Sequence, residues 1–113
     1  MSDNKVPTYQ NYINGQWINS LSNKPSPIVS PANKTSVVGN FQISNSEDTL
    51  KAIESASNAA SLWANTPAPS RAQVLFKSLE IFERRFEELA RAITIEEGKP
   101  ISDARGEVRR AMN

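Results

Sequence analysis

Lys99 stands between Gly98 and Pro100 in the run ITIEEGKPISDARGEV, with Glu96, Glu97 and Asp103 close by. Lysine among carboxylates suggests two chemistries. One is phosphate binding, in which a glycine-rich loop cradles the anion and lysine adds charge. The four glycines, at positions 15, 39, 98 and 106, are too scattered for such a loop. The other is acid–base hydrolysis by paired carboxylates. Here Glu96, Glu97 and Asp103 flank a corner, where acids are ordinarily surface charge, and no pocket signal accompanies them. The run is sufficiently explained as a join between two helices. Gly98 suits the left-handed position that closes one helix. Pro100 suits the first turn of the next, where its missing N–H costs nothing.

Composition removes most other chemistry. The 113 residues contain no cysteine and no histidine. A thiolate nucleophile, a disulfide, a Cys/His zinc site and a Ser-His-Asp triad are all beyond this chain alone. The formal net charge of +1 gives no electrostatic reason to expect nucleic acid or an acidic membrane as partner. No apolar run is long enough to span a membrane, and the polar N-terminus has no signal-peptide core. The expected location is the cytoplasm. Asn33-Lys34-Thr35 matches a glycosylation sequon, a short pattern that also arises by chance. With 38% hydrophobic and 22% charged residues, the chain reads as globular rather than disordered.

The elements that position these residues divide in two. Residues 1–45 read as β-structure and residues 46–113 as helices. In NYINGQWI, Asn14-Gly15 is a two-residue hairpin signal, because a type I′ turn needs positive φ at both centres. That turn sets Tyr12 opposite Trp17. Ile28-Val29 reads as a short strand between prolines, PANKTS as a turn, and residues 37–43 as a strand in a second hairpin. Gly39 there marks a bulge or a close approach of backbone.

Three helices are expected next. The first runs from Ser46, its N-cap, to about Asn65, with Leu50, Ile53, Ala56, Ala60 and Trp63 on one side. The second opens at Ser70 with Gln73 as its capping-box partner and runs to Glu97. Its stripe, Leu75, Leu79, Phe82, Phe86, Leu89 and Ile93, steps by four and three, as one helix face does. Glu80–Arg84 and Glu87–Arg91 are i,i+4 pairs on its outer side. The third helix starts at Pro100. Val108 and Met112 carry an apolar face to the final residues, and the expectation is that the chain is part of something longer.

In order along the chain, NYINGQWI, VSPANKTSVVGNF, SEDTLKAIESASNAASLWANTPAPSRAQVLFK and EELARAITIEEGKPISDARGEV resemble segments of the aldehyde dehydrogenase superfamily. The last run resembles the family's "E-GKP" segment and is the most specific. Ser30 stands where the family usually has Asn, and Lys34 replaces a turn glycine. The resemblance implies an α/β parent fold. The stretch at hand is then an α+β portion, two hairpins and three helices, from the N-terminal part of the cofactor-binding domain.

The resemblance also implies the activity: oxidation of an aldehyde to a carboxylate with NAD or NADP. In the family a cysteine thiolate attacks the aldehyde and a glutamate-activated water hydrolyses the resulting thioester. Those residues would all follow Asn113, so no catalytic or cofactor-binding residue is carried over. One family feature falls inside. A monovalent cation takes backbone carbonyl oxygens and one acid, which match Ile28, Val29 and Glu96 here. The implied assembly is a homodimer or homotetramer. SPANKTSVVGNF together with W-NTPAPSRA resembles the branch acting on semialdehydes of dicarboxylic acids, α-ketoglutaric semialdehyde among them. The competing reading is a free-standing helical module that binds a partner through the Leu75–Ile93 stripe.

Overall fold

A computed structural model describes residues 6–113. The first five residues, which belong to the polar N-terminus read above as lacking a signal peptide, lie outside the described stretch. The described residues form two compact units: residues 6–29 with 35–65, and residues 30–34 with 66–113.

In the first unit, β1 (Asn11–Ile13) and β2 (Gln16–Ile18) form an antiparallel hairpin. Asn14 and Gly15 adopt φ of 52° and 74°, the double positive φ that a type I′ turn demands. The turn fixes the register, so Tyr12 faces Trp17, and their rings lie 4.8 Å apart in a tilted pair. β3 (Pro25–Ser30) pairs with β4 (Asn33–Gln42). The expected PANKTS turn is thus shorter. Only Pro31 and Ala32 separate the strands, and Asn33–Ser36 belong to β4. Gly39 is buried because Tyr9 covers it: a Cβ there would lie 2.6 Å from the ring. Of the two readings of Gly39, close approach holds.

Helix α1 (Ser46–Asn65) completes the unit and packs on β1. Its cap is Asn45, not Ser46. The Asn45 side chain accepts from the Asp48 N–H (3.0 Å), and the Asp48 carboxylate accepts from the Asn45 N–H (2.9 Å), a reciprocal capping box. Leu50 and Ile53, which the sequence places on one side of α1, are 64% and 59% exposed. The short hairpin beside α1 is too small to cover a helix of 20 residues.

The second unit holds the other helices: α2 (Ala68–Arg84), α3 (Phe86–Glu97) and α4 (Ile101–Met112). Among the described residues four helices therefore stand where three were expected. The long second helix is interrupted at Arg85, whose φ of −103° and ψ of 16° serve as C-cap of α2 and N-cap of α3. No proline or glycine causes the break. Its marker is charge: Arg84 closes α2, while Glu87 and Glu88 open α3. Each sign suits the end of the helix dipole it occupies. Arg85 then binds the Glu88 carboxylate with two nitrogens.

The Ser70 capping box does not form. Pro67 precedes the first residue of α2 without a side-chain cap, and Pro69 sits in the first turn, where a proline loses no helical bond. The apolar stripe divides within α2. Phe82, Phe86, Leu89 and Ile93 pack around buried Ala90, Ala104 and Val108, whereas Leu75 is 70% exposed. The two alanines let α3 and α4 approach closely, and α4 returns along α3 from the corner at Gly98.

Candidate functional site

The α3–α4 corner follows from three residues. Gly98 has φ 80° and ψ 12°, left-handed as expected, and its N–H bonds the Thr94 carbonyl at 2.9 Å to close α3. Any side chain here would be strained by its φ, and a Cβ would also lie 2.9 Å from the Pro31 ring. Pro100 sits one position earlier than expected. It is the N-cap of α4, with φ −54° and ψ 138°, and its carbonyl accepts from the Asp103 and Ala104 N–H groups, each at 3.0 Å. Its ring favours this extended-to-helix entry because φ is already set. Asp103 lies in the first turn of α4, as read from the sequence.

Lys99 is turned inward at this corner, with only 22% of its side chain exposed. It bonds the Glu107 carboxylate and lies 3.2 Å from that of Glu97. The Glu107 bond, the largest influence, raises the ammonium pKa, and the same bond lowers that of Glu107. Arg105 on α4 grips Glu87, in the first turn of α3, through Nε at 2.8 Å and a terminal nitrogen at 3.0 Å, and this fork lowers the Glu87 pKa.

The ion pairs show what the corner does, and the shifts agree with them. A lysine acting as nucleophile or base must lose its proton readily, so its pKa must fall. That of Lys99 goes the other way. A carboxylic acid that donates a proton near neutrality needs a raised pKa. The carboxylates shifted by their surroundings, Asp48, Glu87, Glu88 and Glu107, all go down. The corner is a charge-paired joint between helices.

The residues matched to a cation are distributed over both units. Ile28 and Val29 lie on β3 in the first unit, 37% and 42% exposed. Glu96 lies exposed in the last turn of α3 in the second. Among the described residues, no group of three or more His, Cys, Asp or Glu side chains could hold a metal ion. No helix among them is long and apolar enough to cross a membrane.

Sequence reasoning missed Asp48. It was legible only as an acid near a helix start, yet it is 4% exposed. Its carboxylate accepts from Ser20 Oγ (2.8 Å), the Leu21 N–H (3.0 Å) and the Asn45 N–H. The backbone bonds from Asn45 and then Leu21 pull its pKa down most. The spacing Asn45…Asp48 was the available signal, since a short polar residue with an acid three positions on is a capping pattern.

The aldehyde dehydrogenase family model matches residues 17–113. A malonate-semialdehyde dehydrogenase of Geobacillus thermodenitrificans is 40% identical over 107 residues, covering 95% of this chain and 22% of the relative. An alpha-ketoglutarate semialdehyde dehydrogenase of Haloferax volcanii is 38% identical over 104 residues, covering 92% and 22%. The solved structure of an NAD-dependent aldehyde dehydrogenase from Sinorhizobium meliloti superposes with a TM-score of 0.84 at 32% identity, covering 91% of this chain and 21% of that one. The chain thus spans about a fifth of the length of the relatives it matches.

Proposed function

The chain belongs to the aldehyde dehydrogenase family, and we propose that the whole protein oxidises a semialdehyde of a dicarboxylic acid to the diacid with NAD or NADP. The observation that carries this reading is the likeness, along nearly the whole chain, to malonate- and alpha-ketoglutarate-semialdehyde dehydrogenases. The nicotinamide cofactor would supply hydride acceptance. The residues at hand offer it no cradle. Their glycines do not cluster, and Gly98, the one beside a lysine, has its N–H spent on closing α3. This stretch would therefore act as scaffold, the N-terminal part of the cofactor-binding domain, with thiolate and base supplied by other parts of the protein.

Three further readings go with it. The whole protein would assemble as a homodimer or homotetramer and work in the cytoplasm. It would also hold a monovalent cation through the carbonyl oxygens of Ile28 and Val29 and the carboxylate of Glu96. Oxygen donors suit such a hard ion, and Glu96→Ala should abolish potassium-dependent stabilisation. An unchanged response of the melting temperature to potassium in that variant would remove the cation reading. Against the alternative of a free-standing helical module stands the family match, which takes in the stripe and the corner together.

The test is formation of reduced cofactor by the purified whole protein with malonate semialdehyde, α-ketoglutaric semialdehyde and an aliphatic aldehyde of similar length. A higher kcat/KM for the acidic substrates is expected. Equal rates for all three would discard the substrate class, and no oxidation of any aldehyde would discard the activity.

A further inference from the structure

In the first unit, residues 7–9 lie alongside β4. The Tyr9 N–H donates to the Asn40 carbonyl and the Asn40 N–H donates to the Pro7 carbonyl, both at 2.8 Å, making a parallel bridge at Thr8. The Tyr9 ring stacks on Phe41, with centroids 4.9 Å apart, and covers the bare backbone of Gly39. An exposed strand edge is an invitation to foreign pairing, and here the chain's own segment occupies it.

The contact continues beyond the edge. The Gln42 side-chain amide donates to the Tyr9 carbonyl (2.9 Å) and accepts from the Ser20 N–H (2.8 Å). Ser20, only 2% exposed, passes its hydroxyl to Asp48, which in turn holds Leu21 and the start of α1. Every member of this series is polar. The Ser20–Asp48 bond at its centre is buried, and the cost of a buried group without a hydrogen bond favours opening of such a network as a unit, while the Gln42–Tyr9 bond that ties the strap to it is exposed.

We propose that residues 7–9 form a strap latched over Gly39 of β4, and that Gln42, Ser20 and Asp48 couple its release to the opening of the first turn of α1. The strap and the helix start then form one cooperative unit. When closed, it covers the β4 edge and fixes where α1 begins. When open, it bares the edge from Gly39 to Gln42 and frees the Asn45 cap in the same event.

Amide hydrogen exchange on the full chain, resolved by residue, tests this. Gly39→Ala forces the Tyr9 ring off β4. The Asn40 amide should then exchange faster by about tenfold or more, and those of Leu21 and Asp48 should accelerate with it. Acceleration at Asn40 alone would overturn the coupling, and no change at Asn40 would overturn the latch. If Gly39→Ala does not fold, the unsubstituted chain in graded sub-denaturing urea provides the second measurement. The Asn40, Leu21 and Asp48 amides should merge onto one opening isotherm, and separate isotherms would overturn the proposal.

Discussion

The two units are held by opposite means. The first has a hydrogen-bonded polar centre: Ser20 and Asp48 are buried, and among its described residues no large apolar side chain is. The second closes on Ala90, Ala104 and Val108, with its charges paired at the surface of α3 and α4. An apolar centre tolerates changes of acidity but not of volume. A polar centre has the opposite sensitivity, since its bonds need particular partners in particular protonation states. Small size does not force one strategy on both parts of a chain.

The largest expected effect comes from volume. Ala104 is fully buried where α3 and α4 meet, so Ala104→Leu should destabilise the second unit by about 1–3 kcal/mol. Urea denaturation followed by residue-resolved exchange should show the loss in α3 and α4 while the Asp48 amide keeps its protection. Equal loss in both units would break the comparison.

Acid should act the other way round. The folded pKa of Asp48 is lowered, so its stabilisation is complete above the carboxylate's ordinary value and is lost as pH falls towards the lowered one. Glu87 and Glu107 follow the same sign, but their pairs are half exposed and salt screens them. Melting across the acid range in low and high salt should therefore leave the Asp48 component unchanged by salt and reduce the other. Asp48→Asn should remove the salt-insensitive part. A smaller effect is expected of Gly15→Ala, which places a side chain at φ 74° and should cost the hairpin about 1 kcal/mol, measured by chemical denaturation. Smallest of all is Thr94→Val. The Thr94 hydroxyl is buried without a partner, so its removal should leave the melting temperature the same or slightly higher.

What the sequence disclosed depended on how local the cause was. The Asn14-Gly15 turn and the closure of α3 at Gly98 were legible because each rests on one residue's backbone freedom. The break at Arg85 was written in charge but hidden by an uninterrupted apolar stripe, which reads as one helix whatever the backbone does at a single residue. Ser70 looked like a cap, yet prolines at 67 and 69 start the helix earlier. The exposure of Leu50, Ile53 and Leu75 was not legible, because periodicity tells which face is apolar and not what lies against it. The role of Asp48 needed Ser20 and Leu21, 28 and 27 positions away, and no local pattern reports such partners.

The Gly98-Lys99-Pro100 corner is a joint and not a reacting centre. Lys99→Met in the whole protein tests this most directly, with kcat and KM for the proposed aldehyde oxidation and melting temperature measured together. Unchanged kcat and KM are expected, with a lower melting temperature from the unpaired Glu107. A fall in kcat of about a hundredfold or more at an unchanged melting temperature would contradict it, since that is the size of effect a lost proton-transfer group has.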